Sequence, residues 1–193
     1  MAGLGTIVNC IAVLLGCTVG LLIKKGISKS LEDSIVKAQG LAVIFIGASG
    51  AFCGLLKFEN GSFSTKGTML MIFSLVIGTL IGELLGIEDF LERVGEKIKS
   101  RVKSGSNSRF VEGFVTNTLV ICVGAMAIVG ALNDGLYNDP TTLYVKAVLD
   151  GVIGIIFAST FGIGALFAVF PMALYQGGIT LFAHFIKPYL TDA

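Results

Sequence analysis

A lysine and an aspartate four residues apart, Lys146 and Asp150, stand at the outer end of an otherwise apolar stretch of this chain, which puts the pair near the outer surface. That spacing brings two side chains together on one face of a helix, where opposite charges pair. Inside an apolar run an ionisable group is costly, so it needs a partner or a function. The same criterion selects Thr116, Asn117 and Thr118, then Ser159 and Thr160, and finally Gln176 and Thr180 beyond Pro171. Glu112 stands three residues after Arg109 at the start of its run, and Glu83 stands near the end of another. Taken singly, each group has a plain explanation. Ser and Thr bond their own helix backbone, Asn and Gln bridge helices for about 0.6–2 kcal/mol, and end-of-helix acids pair or reach the interface. Taken together, Asn117, Asp150, Ser159, Thr160, Gln176 and Glu112 are the candidates for a polar pathway or ligand site. Pro171 and the Gly177-Gly178 pair add the signature of an interrupted helix, the kind that lines transporter sites.

Other chemistries find less support. Gly47–Gly50 reads GASG, a nucleophilic-serine pattern, and His184 is the sole histidine. Small-residue packing explains that stretch better, and no enzyme is expected. The cysteines, Cys10, Cys17, Cys53 and Cys122, match no zinc spacing and read as small packing residues. No metal-ligand cluster, phosphate-cradling loop or cofactor motif is present, so no metal or cofactor is implied. The outer stretch Asn133–Pro140 holds Asp134, Asn138 and Asp139, which a glycine- and proline-bearing turn accounts for. The near-neutral net charge of +1 says nothing about partners, and no basic patch with interleaved aromatics suits nucleic acid.

The elements that must position these residues are membrane helices. Of 193 residues, 54% are hydrophobic and 14% charged, and mean hydropathy is +0.87. The apolar residues fall in blocks close to the roughly 20 residues needed to span a hydrocarbon core. The spans read Leu4–Ile23, Ala38–Leu56, Thr68–Ile87, Phe110–Leu132, Ala147–Val169 and Met172–Ile186. The last is short, and a full crossing and a re-entrant segment both fit it. The expected fold is therefore all-α: one polytopic membrane domain, residues 1–193, with about six transmembrane helices. Ten lysines and arginines in loops 24–37 and 88–109 against three in the others place those loops in the cytoplasm and the N-terminus outside. The start of the chain has no basic segment, so the first span reads as retained rather than cleaved.

The chain also repeats itself. Gly16 and Gly20 in LLGCTVGLLIKKGI align with Gly78 and Gly82 in VIGTLIGELLGI, and Val43–Ala51 aligns with Val120–Ile128. Each unit, about 4–56 and 68–132, reads as a small-residue helix, a charged cytoplasmic segment and a second small-residue helix; a weaker third copy covers about 147–187. Two crossings per unit make the copies parallel. Glycines four apart let helix backbones approach, so both pairs are expected to mark equivalent helix contacts. Ile27, Leu31 and Ile35, and then Ile87, Phe90, Leu91, Val94, Ile98 and Val102, recur at helical spacing and suggest amphipathic helices on the cytoplasmic surface.

GTIVN (Gly5–Asn9), FVEGFVT (Phe110–Thr116), CVGAMAIVG (Cys122–Gly130), LDG (Leu149–Gly151), ASTFGIG (Ala158–Gly164) and LYQGGITL (Leu174–Leu181) together resemble the bacterial membrane-protein family catalogued as domain of unknown function 554. The resemblance covers nearly the whole chain. It implies a multi-pass protein of the bacterial plasma membrane and supplies no substrate or site. The first functional expectation is a small transporter or permease for an ion or small solute, assembled as a homo-oligomer because six helices enclose little volume. No ATP-binding motif is present, so movement is expected to be passive or gradient-driven. A non-transporting scaffold or partner-binding subunit, and an ion channel, are the alternatives.

Overall fold

A computed structural model describes residues 2–191 except 24–25, 60, 87–88, 91–92, 95–96 and 98–107. The chain divides into two compact units, one formed by Met1–Ser28 with Leu91–Ala193 and the other by Lys29–Phe90.

In the first unit, α1 (Leu4–Leu22) buries Gly5, Thr6, Asn9, Val13, Gly16, Cys17 and Gly20. These recur every three or four residues, so they form one stripe of the helix. The stripe lies along α6 (Thr141–Phe161), and the two helices run parallel: Gly5 meets Leu143, Gly16 meets Gly151 and Gly20 meets Ile155 and Ala158. A Cβ on Gly16 or Gly20 would fall onto the backbone carbonyl of Gly151 or Ile155, so only glycine permits this approach. Pro140 stands at the start of α6, where its missing N–H is no loss. Asp139 Oδ1 accepts from the Thr141 backbone N–H at 3.0 Å and from Thr141 Oγ1 at 2.6 Å. Gly162, at φ 78°, ends the helix.

The expected span Phe110–Leu132 is two helices, α4 (Ser108–Cys122) and α5 (Ala125–Tyr137), bent by 57° at Val123–Gly124. Gly124 is extended there, at φ −168° and ψ 145°, so helix cannot continue through it. The break from α6 also falls elsewhere than expected. Pro171 lies in the first turn of α8 (Val169–Thr191), where a proline displaces no intrahelical hydrogen bond. The interruption occurs upstream, at Gly162 and the single-turn α7 (Gly164–Phe167). At 23 residues α8 is about 35 Å long, enough for a full crossing. Val13, Cys17, Ile121, Ala158, Ala165, Ala168, Val169 and Met172 form the apolar core where α1, α4, α6, α7 and α8 meet.

In the second unit, α2 (Lys29–Leu55) and α3 (Thr68–Leu85) flank an antiparallel hairpin, β1 (Leu56–Glu59) and β2 (Ser62–Thr65), which the sequence reading treats as loop. The first expected amphipathic segment is not a separate surface helix: from Lys29 onward it continues without interruption into α2, because no glycine or proline falls between Lys29 and Gly40. Most of the second lies outside the described residues. Neither α2 nor α3 has a buried residue. Among the described residues, a Cβ on Gly78 or Gly82 would meet nothing within 4 Å, so this pair makes no contact there like that of Gly16 and Gly20. Cys53 is likewise exposed rather than packed.

Five described helices are long and apolar enough to cross a membrane, or six when the bent α4–α5 pair counts as one span.

Candidate functional site

The polar residues of the first unit converge on α1. Lys146 and Asp150 pair as their spacing predicts: Nζ stands 2.8 Å from Oδ1 and 2.7 Å from Oδ2. The pair is not at the surface, since each side chain is only 8% exposed. Asn9 faces it from α1. Its Nδ2 donates to Asp150 Oδ2 at 3.0 Å and to Gln176 Oε1, on α8, at 3.2 Å, with Met172 Sδ at 3.5 Å. The amide orientation follows from the network, because the reverse would set an oxygen against the carboxylate. One turn along α1, Thr6 Oγ1 lies 3.4 Å from Thr180 Oγ1. Cys122, at the end of α4, packs against the apolar core that contains Met172, and the helix breaks directly after it, at Val123–Gly124.

Two atoms of this cluster have no hydrogen-bond partner among the described residues: Asn9 Oδ1, an acceptor, and Gln176 Nε2, a donor. Both residues are fully buried. A buried amide group left unpaired is costly and marks a place where a small polar species completes the network. The cluster therefore offers one positive charge, one negative charge, an open donor and an open acceptor on three helices. Such a site accommodates an ion that replaces one member of the pair, or a small neutral polar solute that bridges the amides.

A second group lies deeper along α1. Asn117 Nδ2 donates to Ala165 O at 2.7 Å and reaches Cys17 Sγ at 4.0 Å. It satisfies a carbonyl of the single-turn α7, which makes it first of all a brace for the α6–α8 interruption. Its Oδ1, and Thr118 Oγ1 beside it, have no partner among the described residues. Asp134 is a correction. It is not part of an exposed outer loop but a fully buried residue of α5, because that helix runs on to Tyr137. Its Oδ2 accepts from the Gly5 backbone N–H at 3.0 Å, in the first turn of α1, where a carboxylate meets the positive end of the helix dipole.

The sequence candidates thus separate. Asp150 and Gln176 share the cluster, and Asn117 is buried nearby. Ser159 is part-buried and bonds the Ile156 carbonyl of its own helix at 2.8 Å. Thr160 and Glu112 are exposed and join neither group. Ser49 and His184 are exposed and belong to different units. Sequence reasoning passed over Asn9, Thr6 and the site role of Lys146. The spacing of Thr6 and Asn9 to Val13, Gly16 and Gly20 puts them on the tightly packed glycine face, and that was the available signal.

The model of the family described as "Protein of unknown function (DUF554)" matches residues 4–193. The chain is 32% identical over 183 residues to an uncharacterized membrane protein, YdfK, of Bacillus subtilis (strain 168), covering 95% of this chain and 74% of that protein. It is 26% identical over 194 residues to the uncharacterized protein YqgA of Escherichia coli (strain K12), covering 98% and 78% respectively. No solved structure matches significantly.

Proposed function

The chain belongs to the family of proteins of unknown function DUF554, and on that premise we propose that it is a small membrane transporter for an ion or small solute. The path passes the cluster of Asn9, Lys146, Asp150 and Gln176. The observation that carries this reading is the pair of unpartnered amide atoms, Asn9 Oδ1 and Gln176 Nε2, beside a buried ion pair. Ionisable groups buried inside a membrane bundle mark pathways more often than scaffolding. The broken helix beside them supports the same reading, since irregular backbone at membrane depth belongs where protein or a water-lined cavity covers it.

The finer features fit one scheme. Six crossings in the bacterial plasma membrane, parallel hairpin repeats and an N-terminus outside belong to the same proposal, and the parallel packing of α1 and α6 supports the repeat order alone. Assembly as a homo-oligomer belongs to the same proposal, because six helices enclose little volume.

The test is thermal stability of the purified protein across a panel of ions and small metabolites, with Asp150→Asn and Asn9→Leu alongside. A ligand at a hundred times its dissociation constant stabilises by about 2.7 kcal/mol, or roughly 5–11 °C at ~2–4 °C per kcal/mol. A selective rise in the native protein that both variants lose supports the reading. A panel in which nothing shifts the native protein, or in which both variants keep the shift, counts against it and favours a scaffold.

A further inference from the structure

The hairpin between α2 and α3 has two chemically different faces. Its register pairs Leu56 with Thr65, Lys57 with Ser64, Phe58 with Phe63 and Glu59 with Ser62. Residues directly opposite share a face, and successive residues alternate. Leu56, Phe58, Phe63 and Thr65 therefore stand on one side, and Lys57 and Ser64 on the other. The two phenylalanine rings pack against each other with centroids 5.0 Å apart, yet Phe58 is 64% and Phe63 74% exposed. A lone two-stranded hairpin is marginal in water, and no described residue of its own unit covers the apolar face of this one.

The flanking helices fix what covers it. Strand β1 starts at Leu56, directly after the last residue of α2, and only Lys66 and Gly67 separate β2 from α3. Lys66 N–H donates to Leu55 O at 2.7 Å and ties the hairpin base to the end of α2. Both helices are long and apolar enough to cross a membrane. A hairpin held this closely to the ends of two spans has no length of chain with which to leave the surface of the bilayer.

We propose that the hairpin is a membrane-interface anchor, with Leu56, Phe58 and Phe63 inserted at the boundary between headgroups and acyl chains and Lys57 and Ser64 turned toward water. The ligand is the lipid surface itself. Phenylalanine and leucine side chains of interfacial segments bury at that depth, and the exposed apolar surface of α2 and α3 leads into it without a gap. This inference stands on membrane residence alone and is independent of transport.

The chain contains no tryptophan, so Phe63→Trp gives a single reporter on the apolar face and Ser64→Trp one on the opposite face. The full-length variants are reconstituted in phosphatidylcholine vesicles with lipids brominated near the headgroup end of the acyl chain, and acrylamide is added as the aqueous quencher. The expected result is a blue-shifted Phe63→Trp emission, largely lost to the brominated lipid and little affected by acrylamide, with the reverse at Ser64→Trp. Phe58→Trp repeats the measurement should the first variant fail to fold. Strong acrylamide quenching on the apolar face would overturn the proposal by placing it in water. Protection from both quenchers would overturn it in favour of a protein partner or second copy.

Discussion

Replacing Lys146 by methionine keeps most of the length of the side chain and removes its charge. Asp150 is then left with Asn9 Nδ2 as its remaining partner, 3.0 Å from Oδ2. Each side chain of the pair is only 8% exposed in this conformation, so while the path is closed little water can take the place of the ammonium. Breaking a buried pair in this way costs about 3–5 kcal/mol, or roughly 6–20 °C of melting temperature at ~2–4 °C per kcal/mol. Asp150→Leu leaves the ammonium buried alone and has a similar effect. The double variant Lys146→Met/Asp150→Leu removes both charges, and Asn9 keeps its bond to Gln176 Oε1 at 3.2 Å. Replacing a whole buried pair with apolar groups is often neutral, so the double variant is expected within about 1 kcal/mol of the native protein. Thermal unfolding of all four proteins in nanodiscs closes the cycle. Single variants that each lose less than about 1 kcal/mol, as exposed pairs do, would refute the reasoning, because the pair would then be solvated. A stable double variant has a further use: it separates folding from function, since it should keep the fold and lose any ligand response.

Gly16→Ala drives a Cβ onto the Gly151 carbonyl and is expected to cost about 1–3 kcal/mol, whereas Gly78→Ala enters open space and stays within about 0.5 kcal/mol; thermal unfolding compares them directly. Asn117→Ala removes the shorter of two hydrogen bonds to the Ala165 carbonyl, leaving the Ala168 N–H at 3.3 Å, and is expected to destabilise by about 0.5–1.5 kcal/mol, with hydrogen exchange rising in α7 and the first turn of α8. In the loop before α6, the Thr141 hydroxyl and then its backbone N–H hold the Asp139 carboxyl below its ordinary range. A depressed carboxylate contributes stability above its unfolded value of about 3.9, and loses it as pH falls through the lower folded value. NMR titration of labelled Asp139 should show the low midpoint, and Thr141→Val should raise it.

Sequence reveals the spans well because apolar length is a strong signal: the starts of α1 and α3 and the end of α2 fall within one residue of expectation. It reveals breaks badly. Pro171 draws attention as the obvious interruption, yet a proline in the first turn is harmless, and the real interruptions use Gly124 in an extended conformation and Gly162 at positive φ. Neither glycine differs in type from the packing glycines around it, so composition cannot separate them. The hairpin is a different miss. Asn60-Gly61 is the strongest short hairpin signal, but a charged stretch between two spans reads as loop. Lys146 and Asp150 were legible as a pair, since their spacing belongs to one helix. That Asn9 and Gln176 join them was not, since it depends on α1 and α8 meeting across more than a hundred residues of chain.

The central claim is that water-borne solutes reach the cluster of Asn9, Lys146, Asp150 and Gln176. In a chain whose four cysteines are replaced by alanine, Gln176→Cys is treated in sealed vesicles with a membrane-impermeant thiol reagent. Ile156→Cys, equally buried but apolar, serves as the reference. The account predicts that Gln176→Cys is modified far faster than Ile156→Cys, because a transport path must open to water. Equal and slow modification at both positions would contradict it and leave the cluster as structural glue.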